Sequence, residues 1–161
     1  MELFKDDLLQ AIGKELIRRS ETLAVAESVT SGAIQLAIST IIDASRFYQG
    51  GITAYNVAQK FRHLNVEPID AIASNCVSQS VAEQMATHVT SLFTSHWGVA
   101  ITGYAVPVPQ SEDDVYAWYA IAYKGEIKVS GKLDPDKDDT MNLQLFFANE
   151  VCRQLYKQLT D

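Results

Sequence analysis

The sequence predicts an α/β chain: a three-layer α/β/α sandwich around a mixed, mostly parallel sheet with one antiparallel strand. Short apolar runs of strand length alternate with stretches of helical period over the first two thirds, and the last third reads as a hairpin followed by one closing helix. A further observation bounds this. The 161 residues, 47% of them apolar, suffice for one full-sized core and leave little room for a second, so residues 1–161 are read as one domain.

Each element has its own signal. Phe4, Leu8, Ile12 and Leu16 recur every fourth residue, with Leu3, Leu9 and Ile17 beside them, which predicts an N-terminal amphipathic helix of about four turns. Thr22 to Ala26 is a short apolar strand. Ile34, Ala37, Ile38, Ile41 and Ile42 mark the next helix, with Thr30 and Ser31 as candidate N-caps. Gly50-Gly51 opens a second strand, Ile52 to Tyr55, and a short helix follows from Val57 to Leu64. Pro68 stops that helix and permits a new start.

Ser78 or Ser80 can cap the helix carrying Val81, Met85, Val89 and Leu92, and Glu83 stands three residues after Ser80 as a capping-box partner. Trp97 to Thr102 is an apolar strand ending at Gly103. Val115 to Tyr123 turns through Lys124-Gly125 into Glu126 to Leu133 as a hairpin. Met141, Leu145, Ala148, Cys152, Leu155 and Leu159 form the seam of the final helix, which gives Cys152 a core role.

Twenty acidic residues against thirteen basic ones give a net charge of −7, which disfavours nucleic acid and anionic membrane surfaces, and no local basic patch offsets it. The longest charge run, Asp134 to Asp139, is itself acidic. The only cysteines, Cys76 and Cys152, have neither metal-ligand spacing nor a disulfide pattern, so neither a zinc site nor a disulfide framework is indicated, and a reducing, cytoplasmic setting suits the chain; no cofactor is expected. Charges among residues 1–20 argue against a signal peptide, and no apolar run is of bilayer-spanning length.

In such sheets the ligand crevice lies beyond the carboxyl ends of the parallel strands, which directs attention to the loops after Ala26, Tyr55 and Thr102. The first of these is the most distinctive. An apolar run breaks at Glu27-Ser28 into hydroxyls and a glycine, so Ser28 can present its oxygen at the strand end, beside a helix start whose unpaired N–H groups from Thr30 to Gly32 could hold an oxyanion. A serine nucleophile needs a base. His63, His88 and His96 are not placed to supply a Ser-His-Asp triad, whereas Lys60, soon after the strand-end Tyr55, is a candidate if desolvation lowers its pKa. Read from composition alone, a helical lysine is ordinarily a solvated charge and a strand-end tyrosine ordinarily packs.

The order of motifs resembles the CinA C-terminal domain family, whose active members are nicotinamide mononucleotide deamidases. The resemblance rests on Ala26-Glu27-Ser28-Val29-Thr30-Ser31-Gly32 at the first strand–helix turn, Phe47-Tyr48-Gln49-Gly50-Gly51 before the second strand, and Tyr55 with Lys60. Val77-Ser78 before the long middle helix and the strand closing on Thr102-Gly103 complete it. It implies a Ser28 nucleophile activated by Tyr55 and Lys60, cleaving a carboxamide to a carboxylate and ammonia without a metal. It further implies a nucleotide-binding surface of Glu27, Thr30, Ser31, Gly32, Gly50, Gly51, Thr102 and Gly103, and a homo-oligomer, for which Tyr116, Trp118 and Tyr119 are candidate contacts.

The chain departs from that pattern at several points. Ser31 replaces a glycine, Val57 stands where the family has asparagine, Val106-Pro107-Val108-Pro109-Gln110 replaces a glycine-rich loop, and Asp136-Lys137-Asp138 replaces a Gly-Asp-Arg. Two functional expectations follow. One is a working amidohydrolase; the other is a catalytically decayed paralogue that serves as a ligand-binding or structural oligomeric protein.

Overall fold

The computed structural model describes residues 2–161. Its elements run α1 (Asp6–Arg19), β1 (Leu23–Glu27), α2 (Ala33–Ser39), β2 (Tyr48–Thr53), α3 (Val57–Leu64), α4 (Pro68–Ala73), α5 (Gln79–Phe93), β3 (Trp97–Tyr104), β4 (Tyr116–Tyr123), β5 (Glu126–Leu133) and α6 (Thr140–Thr160). Single 3₁₀ turns stand at Ala44–Arg46 and Pro109–Ser111. The five strands form one sheet in the order β2-β1-β3-β4-β5. β1 is parallel to β2 and to β3, while β4 is antiparallel to both β3 and β5, so β4 alone runs against the rest as expected.

The chain steps from β1 to β2 on one side and then crosses back to β3 on the other. Right-handed crossovers in opposite directions require their helices on opposite faces of the sheet. That is the arrangement seen: α1, α2 and α6 cover one face and α3, α4 and α5 the other. The point of reversal, the carboxyl end of β1, is where an open α/β sheet leaves a crevice.

Period-two alternation sorts the strand side chains between these layers. Leu23, Val25, Trp97, Val99, Ile101 and Ile121 pack against Ile12, Leu16, Ile38, Phe147, Val151 and Leu155. Ala24, Ala26, Ala100, Ala120 and Ala122 meet Leu64, Val81, Met85 and Val89. On this second face α5 comes so near the sheet that a Cβ at Gly98 would stand 2.3 Å from the Ala86 carbonyl oxygen. Cys152 is buried in the first core, and burial pushes its thiol up to about 12.

Several boundaries differ from expectation. β2 begins at Tyr48, not Ile52, and holds Gly50 and Gly51 within an edge strand beneath Phe93 and Gln35. α5 is capped by Ser78, whose Oγ accepts the Val81 N–H at 3.1 Å; Ser80 bonds Asp70 instead, and Glu83 accepts from Gln79 and Ser130. The Lys124-Gly125 hairpin turn is as predicted, with positive φ at both residues. Tyr119 is buried in the interior strand β4 and Trp118 packs on the second core, so these two aromatics are taken up by the sheet itself. Among the described residues no helix is long and apolar enough to cross a membrane.

Candidate active site

Ser28 and Glu27 are neighbours that the pleat sends to opposite faces. Glu27, in register with Leu23 and Val25, turns toward α2, where its carboxylate accepts the Ile34 and Gln35 N–H groups, each at 2.9 Å, and the Thr30 hydroxyl at 2.5 Å. The expectation that Thr30 or Ser31 caps this helix is therefore corrected. The N-cap position is Gly32 at φ 100°, a conformation glycine tolerates, and no side chain caps from there. The acceptor is a buried carboxylate reaching forward from the strand, and it occupies the helix start that an anion would otherwise use.

Ser28 continues the small face of β1 and is 6% exposed. Against it lies Lys60, only 1% exposed, whose Nζ donates to Ser28 Oγ at 2.9 Å and to the Ala54 carbonyl at 3.0 Å. The placement follows from α3. Asn56 caps that helix by accepting the Gln59 N–H at 3.0 Å, and helical side chains lean back toward the N-terminus, carrying the amine of Lys60 past the first turn to the strand ends. Burial pushes the Lys60 pKa below the ordinary lysine value, with a smaller opposing effect from Cys76. The positive end of α3 acts in the same direction. A lysine so placed can exist as a neutral amine beside a hydroxyl.

The pair opens on a cavity of about 400 Å³ at the carboxyl ends of β1 and β3 and beside the β2–α3 turn. Of the residues singled out from the sequence, Ser28, Tyr55, Lys60, Thr102 and Gly103 line it. Thr102 Oγ1 donates to the Cys76 carbonyl at 2.6 Å, and Gly103 lies where a Cβ would meet the β4 backbone at 2.5 Å. Glu27, Thr30, Ser31, Gly32, Gly50 and Gly51 do not line the cavity. Tyr55 reaches its rim but is 67% exposed, and its hydroxyl bonds neither Ser28 nor Lys60, so the structure brings together two members of the expected trio.

The N–H groups of Val29 and Thr30, immediately after Ser28, have no acceptor among the described residues, whereas the Ser31 N–H is engaged by the Ser28 carbonyl at 3.0 Å. Of the expected Thr30 to Gly32 donors, Ser31 is thus engaged while Thr30 stays free, and Val29 adds a free donor before that segment. No histidine lines the cavity; His96 Nδ1 is bound to Thr22 at 3.0 Å and His63 Nε2 to Gln59 at 2.9 Å.

Other lining residues were not singled out as site residues from the sequence. Gln144, from the far end of the chain, donates to the Val29 carbonyl at 3.0 Å. Asn75 donates to the Tyr104 hydroxyl at 2.9 Å, and Asn75 and Cys76, both lining the cavity, take positive φ. An asparagine before a short turn was the one sequence signal for that bend. Among the described residues, no group of three or more His, Cys, Asp or Glu side chains is arranged as metal ligands.

A strand-end serine held against a buried lysine, at the reversal point of a mixed α/β/α sandwich, defines the class of this fold and site. The chain belongs to the CinA C-terminal domain family, whose profile matches residues 5–158. A CinA-like protein of Rippkaea orientalis is 36% identical over 155 residues, 96% of this chain and 35% of that protein. One from Picosynechococcus is 44% identical over 96 residues, 60% of this chain and 23% of that protein. The chain thus spans roughly a quarter to a third of the length of these curated relatives.

Solved structures share the fold. A competence-damaged protein (CinA) superfamily member from Klebsiella pneumoniae superposes with a TM-score of 0.91 at 22% identity, covering 99% of each chain. A competence/damage-inducible protein from Agrobacterium tumefaciens gives 0.88 at 22% identity, covering 100% of each chain.

Proposed function

We propose that this domain is a serine amidohydrolase that converts the carboxamide of a nicotinamide-type compound to a carboxylate and ammonia. The observation that carries this reading is the 2.9 Å contact between Lys60 Nζ and Ser28 Oγ at the floor of an otherwise uncharged cavity. The neutral Lys60 amine takes the Ser28 proton as Oγ attacks the carboxamide carbon. The free N–H group of Val29, the lining residue next to Ser28, receives the oxyanion. The C–N bond then breaks, and the nitrogen leaves as ammonia with the proton returned from Lys60. Water, deprotonated by the same amine, cleaves the acyl ester and restores the hydroxyl. Tyr55, on the rim, contacts the ligand and takes no part in activating Ser28. A homo-oligomer acting in the cytoplasm belongs to the same reading.

Nicotinamide mononucleotide is the reference compound. Purified protein is expected to release ammonia from it or from its dephosphorylated counterpart, and Ser28→Ala to lower that rate by ~10³-fold or more. Equal turnover in the two proteins would refute the assignment. The rival reading, a ligand-binding domain without turnover, draws on the outward position of Tyr55. It predicts ligand binding and no ammonia from either protein.

A further inference from the structure

The cavity has polar groups in plenty but a single basic side chain, and that one is already committed. Lys60 is buried between Ser28 Oγ and the Ala54 carbonyl, and no arginine or second lysine lines the cavity among the described residues. A phosphate needs cations or free helix-start donors. At α2 those donors are taken by the Glu27 carboxylate. At α6, where Thr140 and Gln144 reach the cavity, the incoming segment contributes Asp134, Asp136, Asp138 and Asp139 against Lys137. Asp138 Oδ1 also accepts the Asp139 N–H at 2.7 Å and the Asn142 amide at 3.2 Å.

The surface next to the cavity has the same sign. Gln110 is shared with an adjoining depression lined by Glu112, Asp113 and Asp114. The lysines there do not balance these acids: Lys132 is paired with Asp134 at 3.5 Å and lies over the Tyr116 ring at 4.3 Å, which leaves Lys137 against three carboxylates. A dianion in this cavity therefore finds no basic side chain but the committed Lys60, and carboxylates stand on two of the segments beside it. A ligand carrying hydroxyls and amides, or a positive charge, meets the opposite situation.

From this juxtaposition we propose that the site takes an unphosphorylated carboxamide, neutral or cationic and of nucleoside size, and discriminates against its phosphate ester. The volume of about 400 Å³ lies at the small end of the range for organic ligands. Asn75, hydrogen-bonded to Tyr104, and Gln144 supply uncharged polar contacts for such a ligand. The proposal rests on the amidohydrolase reading of Ser28 and Lys60, and is tested separately from it.

Binding to the Ser28→Ala protein is measured by calorimetry at low, fixed ionic strength, with nicotinamide riboside and nicotinamide mononucleotide as probes. The riboside is expected to bind at least ~10-fold more tightly. Equal or tighter binding of the mononucleotide, or no binding of either, overturns the proposal. In Asp136→Arg/Asp139→Arg, both on the exposed approach to α6, the mononucleotide is expected to gain affinity severalfold while the riboside does not; an unchanged ratio overturns the electrostatic cause. Ammonia release by the unmodified protein is read on both probes. Its absence on both refutes the amidohydrolase reading, while the affinity ratio still decides the preference.

Discussion

The two faces of the sheet are built from the same strands and do different work. Toward α1, α2 and α6 the strands show Leu23, Val25, Trp97, Val99, Ile101 and Ile121; toward α3, α4 and α5 they show Ala24, Ala26, Gly98, Ala100, Ala120 and Ala122. Large side chains keep the first helical layer at a distance and fill the gap with apolar volume. Small ones let the second layer approach until backbone meets backbone, as at Gly98 and Ala86. Where that close face runs out, at the carboxyl end of β1, the next small-face positions are Ser28 and Thr102, and they meet Lys60 and the Cys76 carbonyl. Short side chains on the sheet are what let a lysine on α3 reach the strand end while its stem stays out of water.

The largest effect expected from this contrast is on the small face. Lys60→Met keeps the buried stem and removes the amine, so kcat/KM for ammonia release should fall by roughly 10²- to 10⁴-fold, with the fold retained by circular dichroism. The pH profile carries the same information. Burial holds the Lys60 pKa below the ordinary lysine value, so the acidic limb of kcat/KM, where the neutral amine appears, should lie below 10.5. Between that depressed value and 10.5 the unfolded chain binds the additional proton. Stability therefore rises with pH across the window, and this dependence should vanish in Lys60→Met. A limb unchanged by the substitution would place the base elsewhere.

On the large face the expected loss is of stability. Phe147→Ala empties a fully buried site and should cost about 3–5 kcal/mol in urea unfolding, with the chemistry of the surviving native protein unaltered. Gly98→Ala tests the close face by overpacking. The added methyl meets the Ala86 carbonyl, a backbone atom that moves only with α5, so a cost of about 1–3 kcal/mol is expected. If Gly98→Ala is neutral, the tight approach of α5 is not what distinguishes the two layers.

The sequence made the architecture legible because it depends on periodicity and chain order. Alternating strand and helix signals, the Lys124-Gly125 turn and the reversed β4 are all short-range or topological features. Ser28 and Lys60 were legible as candidates because their motifs lie at strand ends, where the fold rule places ligands. What escaped were contacts that no local pattern records. Glu27 caps a helix seven and eight residues ahead, so inspection of the N-cap position pointed to Thr30 and Ser31 instead. Gln144 reaches Val29 across 115 positions, and Tyr55 turns outward although its place in the sequence matches the motif.

Glu27 gives the smallest expected effect and the sharpest test of how the two faces divide the labour. Glu27→Gln preserves shape but removes the negative charge at the start of α2 and leaves one oxygen to serve donors that two oxygens now satisfy: the Ile34 and Gln35 N–H groups and the Thr30 hydroxyl. The expected cost is about 1–2 kcal/mol in urea unfolding, with ammonia release reduced far less than in Ser28→Ala. The reverse result, intact stability with activity lost to the extent of Ser28→Ala, would mean that Glu27 acts on the ligand. The pleat would then have failed to separate the residue that holds the helix from the residue that does the chemistry.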